Sequence, residues 1–122
     1  MEEVRQWVNE NLSKGFIEAS QAPWASPIIF VRKPGGGIRL CVDYRKLNEI
    51  SVKDRYPLPL IDDILGLLSG CQYITRLDIR HAFNRIRMAT SQDEDLMTFA
   101  TPLSNYKSKV LPFGLCGGLA TF

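Results

Sequence analysis

Cysteine is scarce in this chain: Cys41, Cys71 and Cys116 are its three, widely spaced and without a C-x-x-C pair. That argues against a disulfide framework or a zinc site and favours a reducing, intracellular setting. Histidine is scarcer still, with His81 alone, and a lone histidine is more often structural than a metal ligand, so it is assigned no role. Excess charge is nearly missing too, since 15 Lys and Arg against 13 Asp and Glu leave +2. So mild a balance does not mark a nucleic-acid binder, and any such footprint must come from local clustering. No apolar run approaches the ~20 residues that span a bilayer, and the N-terminus is acidic and amphipathic rather than signal-like, so no membrane partner is expected. Repeats and low-complexity tracts are absent. What remains is an ordinary globular composition, 45% hydrophobic over 122 residues, enough for one domain.

Val4, Trp7, Val8 and Leu12 recur at helical spacing, with Gly15 where a C-terminal cap belongs. Pro23-Trp24-Ala25-Ser26-Pro27 reads as an extended connector. The β-forming runs Ile28-Ile29-Phe30-Val31 and Ile38-Arg39-Leu40-Cys41-Val42-Asp43-Tyr44 flank Pro34-Gly35-Gly36-Gly37, which predicts a hairpin with a flexible tip. Ile38, Leu40, Val42 and Tyr44 share one face of the second strand, and Arg39, Cys41 and Asp43 the other. After the connector Tyr56-Pro57-Leu58-Pro59, a helix is expected from the stripe Ile61, Ile64, Leu65, Leu68, with Asp62 and Asp63 in its first turn and Gly70 closing it. Tyr73-Ile74-Thr75-Arg76-Leu77-Asp78 alternates as a strand, then comes a tight turn and a strand-like Arg85-Ile86-Arg87-Met88. Ser91 with Glu94 has capping-box spacing for a short helix, and strands from Met97 to Thr101 and from Tyr106 to Val110 form a hairpin around Pro102-Leu103-Ser104-Asn105. The fold class is α+β with mostly antiparallel strands.

Several residues carry chemistry, each beside a plainer reading. Asp78 after a strand reads, by itself, more readily as the cap of a turn than as a cation ligand. Arg32, Lys33 and Arg39 around a glycine-rich tip suit a polyphosphate, and equally a charged hairpin edge that resists aggregation. Lys107 and Lys109, like Arg85 and Arg87, alternate along their strands and either track a nucleic-acid backbone or face solvent. Trp24 either stacks on a base or staples its connector. An isolated Phe83 would be ordinary core.

Three blocks in order change those odds: Val31-Arg32-Lys33-Pro34-Gly35-Gly36-Gly37-Ile38-Arg39-Leu40-Cys41-Val42-Asp43-Tyr44-Arg45-Lys46-Leu47-Asn48, then Leu77-Asp78-Ile79-Arg80-His81-Ala82-Phe83, then Leu111-Pro112-Phe113-Gly114-Leu115. From about Val4 to Phe122 the chain closely resembles the fingers and early palm of reverse transcriptases of the Ty3/gypsy class of LTR retrotransposons. In that family a Tyr/Phe-x-Asp-Asp hairpin follows the Leu-Pro-Phe-Gly block, and these residues stop short of it. The resemblance therefore implies a partial right-hand polymerase fold, residues 1–75 mainly fingers and 76–122 mainly palm, in a fragment truncated within the palm.

In the intact enzyme it implies RNA-directed DNA polymerisation on an RNA or DNA template-primer from deoxynucleoside triphosphates. Two metal ions, Mg2+ with Mn2+ as a substitute, would clamp the attacking and leaving oxygens. By the same resemblance Asp78 is the first catalytic aspartate, with the Ile79 carbonyl as a neighbouring metal ligand. Arg32, Lys33 and Arg39 grip the triphosphate, Phe83 obstructs a 2′-hydroxyl, and Phe113 and Gly114 lie against the nucleotide. Pro34 stands where many relatives have lysine, Leu119 where proline is usual, and Ala100 and Pro102 where arginine is frequent. The isolated chain is expected to be inactive, its natural partner being the remainder of a retroelement polyprotein. The alternative is a non-catalytic nucleic-acid-binding remnant.

Overall fold

Val4 and Val8 are one helical turn apart, and their burial against a sheet is what holds the first helix, α1 (Glu2–Ser13), to the rest of the molecule. Glu2 and Glu3 occupy its first turn, where negative charge suits the helix dipole. Gly15 ends it with a φ of 66°, a left-handed conformation that an L side chain resists. The chain then turns straight into β1 (Ile17–Ala19). This computed structural model describes residues 1–121, with the backbone alone at Ile38. The sequence expectations that fall on the Ile38 side chain and on Phe122 lie outside the described residues.

Four further strands follow: β2 (Ser26–Arg32), β3 (Ile38–Val42), β4 (Thr98–Ala100) and β5 (Asn105–Ser108). They form one sheet with β1 in the order β1-β5-β4-β2-β3. The β1–β5, β4–β5 and β2–β3 pairs are antiparallel, and β2–β4 is the parallel one. Both expected hairpins are present, β2–β3 across the glycine tip and β4–β5 across residues 101–104. Phe99, on the central strand, is 1% exposed. It anchors a cluster with Val4, Val8 and Ile17, against which Trp7, Ile28, Leu40, Val42 and Tyr106 pack. Trp7 meets Phe99 edge-on with ring centroids 6.1 Å apart. Beside it Thr98, fully buried, donates to the Asp95 carbonyl at 2.7 Å and lies 2.7 Å from the Ser20 hydroxyl. A hydroxyl has one proton, so Ser20 is the donor of that second bond.

The remaining helices are α2 (Arg45–Ile50), α3 (Ile61–Leu68), α4 (Ser91–Leu96) and α5 (Gly118–Thr121). Sequence periodicity does not announce α2 or β1, which are too short to show a period. At α4 the N-cap is Thr90, one residue before the expected Ser91: its side chain accepts from the Asp93 amide. Residues 73–78 are exposed and belong to no ladder among the described residues, which corrects the expected strand. Alternation states what side chains suit a sheet, but a strand exists only where a neighbouring edge takes its backbone bonds. The expected strand at residues 85–88 is likewise reduced to one 3-10 turn (Phe83–Arg85) and a single bridge between Arg87 and Val110.

Candidate active site

β3 stands last in the sheet order, so among the described residues one of its edges has no strand beside it. The consecutive residues Arg39, Leu40, Cys41 and Val42 of this strand line a cavity of about 530 Å³. Tyr44, His81, Asn84 and the stretch Val110 to Phe113 also line it, together with Trp7, Phe16 and Phe99. Segments far apart in sequence thus converge: the fingers-like hairpin through Arg39, the chain just after Asp78 through His81, and the Leu-Pro-Phe-Gly block through Phe113. His81 takes φ 52°, a left-handed conformation uncommon outside glycine that histidine enters more readily than most side chains.

Phe83 and Phe113, 30 residues apart in the chain, face each other with ring centroids 4.7 Å apart and planes tilted by 56°. Such a pair is an attractive aromatic geometry. Phe113 remains 69% exposed, so its outer face is open for a further contact. Gly114 follows with φ 87°, and a β-carbon there would sit 3.9 Å from the Val42 carbonyl oxygen, which brings the loop against β3 where its conformation suits glycine. A β-carbon at Gly118 would also meet the Phe83 ring, at 3.6 Å.

The three cations expected on a triphosphate are not placed alike. In the β2–β3 register Val31 opposes Arg39, while Phe30 opposes Leu40 and Arg32 opposes Ile38. Opposed residues share a face and alternate along each strand, so Arg39 and Arg32 belong to opposite faces of the hairpin. Of the three, Arg39 lines the cavity. Lys33 sits at the tip, its amide bonded to the Gly37 carbonyl at 3.0 Å.

Asp78 and Ile79 are exposed, at the end of the 73–78 stretch. A carboxylate and a backbone carbonyl are hard oxygen donors of the kind magnesium takes, but that ion asks for octahedral coordination. Among the described residues no group of three or more His, Cys, Asp and Glu side chains is arranged to hold a metal. The donors here fit such an ion in kind and fall short of it in number. Nor does Asp43 offer itself: the Arg45 guanidinium grips it at 2.7 and 2.9 Å, and the Arg45 amide adds a third donor. Those bonds hold the Asp43 carboxyl at a pKa of about 2.

Of the two basic patterns the lysine one resolves into ion pairs, while Arg85 donates its Nε to the Arg80 carbonyl at 3.0 Å. Lys107 bonds Asp95 at 2.9 Å, which raises its pKa, and Lys109 bonds Glu18 at 2.8 Å. Trp24 donates its indole N–H to the Asp95 carbonyl at 3.2 Å, tying its connector to the end of α4. Sequence reading missed two residues that organise the site. Tyr44, 2% exposed, donates its hydroxyl to the Met97 carbonyl at 3.1 Å, and burial raises its pKa. Asn48 bonds the backbone on both sides of Leu115. Nothing in spacing joins Asn48 to a loop 66 residues away.

The comparisons agree on one family. A family model described as "Reverse transcriptase (RNA-dependent DNA polymerase)" matches residues 31–122. The chain is 41% identical over 128 residues to the retrovirus-related Pol polyprotein from transposon 297 of Drosophila melanogaster, covering 98% of the chain and 12% of that protein. It is 34% identical over 122 residues to the transposon Tf2-3 polyprotein of Schizosaccharomyces pombe, covering 100% of the chain and 9% of that protein. It therefore spans about a tenth of the length of these curated relatives. Among solved structures, a prototype foamy virus protease-reverse transcriptase superposes with TM-score 0.79 at 22% identity, over 98% of this chain and 16% of that one. A foamy viral protease-reverse transcriptase in complex with double-stranded DNA gives 0.79 at 21% identity, over 98% of this chain and 21% of that one. At that identity the likeness establishes the fold.

Proposed function

The chain belongs to the reverse transcriptase family, and from that premise we propose that it supplies the incoming-nucleotide side of a retrotransposon RNA-directed DNA polymerase. The observation that carries the reading is the convergence of Arg39 and Phe113 on one cavity, with the Phe83 ring against Phe113. Arg39 presents a guanidinium to the triphosphate, which it can bind through two parallel N–H donors, and Lys33 at the glycine tip adds charge. Arg32, on the opposite face of the hairpin, joins them only if the tip twists. Phe83 blocks a 2′-hydroxyl by bulk, Phe113 offers its exposed face to the nucleotide, and Gly114 lets backbone come close. The fingers and palm division at residues 75 and 76 belongs to the same reading.

The family uses a divalent metal ion. We assign Mg2+, with Asp78 and the Ile79 carbonyl as two of its oxygens, and take no step through it because these residues do not complete the donor set. Template-primer, RNA or DNA, and deoxynucleoside triphosphates are the proposed partners, together with other parts of a polyprotein. The competing reading, a nucleic-acid module that works through its basic strands, is disfavoured by Lys107 and Lys109, both of which are held by carboxylates.

The test is template-primer binding at low salt with a matching deoxynucleotide, run beside primer extension. These 122 residues should bind without extending, and Arg39→Ala should weaken nucleotide-dependent binding roughly tenfold, as expected when a charge-assisted contact is removed. Extension that disappears in Asp78→Asn would overturn the view that the residues here do not suffice for chemistry. Binding that is insensitive to nucleotide and to Arg39→Ala would remove the nucleotide site.

A further inference from the structure

The loop that carries Phe113 has neither a ladder nor a helix to fix it until α5 begins at Gly118. Besides the Gly118 amide bond to the Leu115 carbonyl at 3.2 Å, its backbone is held by the side chain of one residue. Asn48, in α2, donates from Nδ2 to the Gly114 carbonyl at 2.7 Å and accepts at Oδ1 from the Cys116 amide at 2.7 Å. A carbonyl can only accept and an amide N–H can only donate, so a single orientation of the carboxamide satisfies both. Aspartate would keep the bond from Cys116 and lose the one to Gly114, and alanine would lose both. The platform behind Asn48 is itself anchored: its amide donates to the Tyr44 carbonyl at 2.8 Å, and the buried Tyr44 hydroxyl reaches Met97 at the entry to the central strand. An unbroken mechanical path thus runs from the core through α2 to the loop, and ends at the Phe113 ring resting on Phe83.

We propose that Asn48 is a positioning residue for the incoming nucleotide, acting by holding the 113–116 backbone so that Phe113 presents a fixed face to the cavity. This rests on the reading of Phe113 as a nucleotide contact. Without the clamp, the left-handed turn at Gly114 (φ 87°) is free to relax, and Phe113 loses its register with Phe83 and Arg39.

The experiment compares the whole chain with Asn48→Ala, Asn48→Asp, Phe113→Ala and the Asn48→Ala/Phe113→Ala double variant. Two readouts are taken: hydrogen exchange of the Cys116 amide with the Phe113 ring resonances, and deoxynucleoside triphosphate affinity in the presence of template-primer. Asn48→Ala should speed Cys116 exchange roughly tenfold, about what one lost hydrogen bond produces, with Phe99 exchange in the central strand unchanged. Asn48→Asp should keep Cys116 slow yet shift the Phe113 ring signals. Nucleotide affinity should fall roughly tenfold in Asn48→Ala and show no further fall when Phe113 is already alanine, because coupled residues are not additive. Unchanged Cys116 exchange in Asn48→Ala overturns the clamp. An affinity loss of equal size with and without Phe113 overturns its route through that ring. If the parent chain binds no nucleotide, the reading of the site fails, and the exchange and ring signals still decide whether the clamp exists.

Discussion

Asp43 accepts from Nε, Nη2 and the backbone amide of Arg45, two residues on, so a single side chain closes the turn between β3 and α2. Its pKa of about 2 lies below the roughly 4 of a free aspartate, which fixes the sign of its linkage. The contribution to stability is present above the unfolded value and is lost as pH falls through the folded one. Acid titration of the melting temperature should therefore show a drop between about pH 4 and pH 2 that is smaller in Asp43→Asn. A parallel pair of curves would mean the carboxylate is not so engaged. At this scale the sequence was uneven as a guide. Phe83, Phe113 and Arg39 could be picked out because their blocks resemble a family. The split of Arg32 from Arg39 depends on register, and the carboxamide of Asn48 meets a loop that no local pattern links to it. Asp78 and Ile79 keep the roles assigned from resemblance only as proposals.

The elements that sequence makes legible are those whose own length carries a pattern. The apolar stripe of α1 ending at Gly15 and the glycine tip between β2 and β3 both needed no distant information. The stretch at residues 73–78 carries an equally clear alternation and forms no ladder among the described residues, because pairing is a property of neighbours. Length sets the other limit: α2 is six residues and β1 three, less than two turns of one and little more than one period of the other. Yet α2 depends on a bond that can be tested directly. Tyr44→Phe removes the donor to the Met97 carbonyl while keeping the ring, which leaves a buried acceptor unsatisfied. The cost should be about 1–2 kcal/mol by denaturant unfolding, whereas a variant as stable as the parent would show that water reaches that carbonyl.

Taken whole, the molecule combines a small buried core with a long stretch of exposed, partly apolar chain. Every residue from 52 to 81 is exposed, among them Ile61 at 75%, Leu65 at 58% and Leu67 at 81% along α3. Contiguous apolar surface of that kind promotes association. The purified chain should bind a hydrophobic dye in its folded state and sediment faster as its concentration rises, and Leu65→Lys should reduce both effects. Dye-silent, concentration-independent behaviour would mean that α3 is covered.

The pairing of β1 with β5 has a consequence for how such a chain is made. Glu18 finds Lys109 91 residues downstream, and Ile17 pairs with Ser108. On the ribosome, β1 and the helix that precedes it emerge well before β5, so the strand that pairs with them does not yet exist when they appear. The β2–β3 hairpin can close at once, but the strands that join it to β1 cannot. Non-local contacts of this kind slow folding, and a chain held open while it is being built is exposed to misassembly with its neighbours. For this fold the order of synthesis and the order of assembly run against each other.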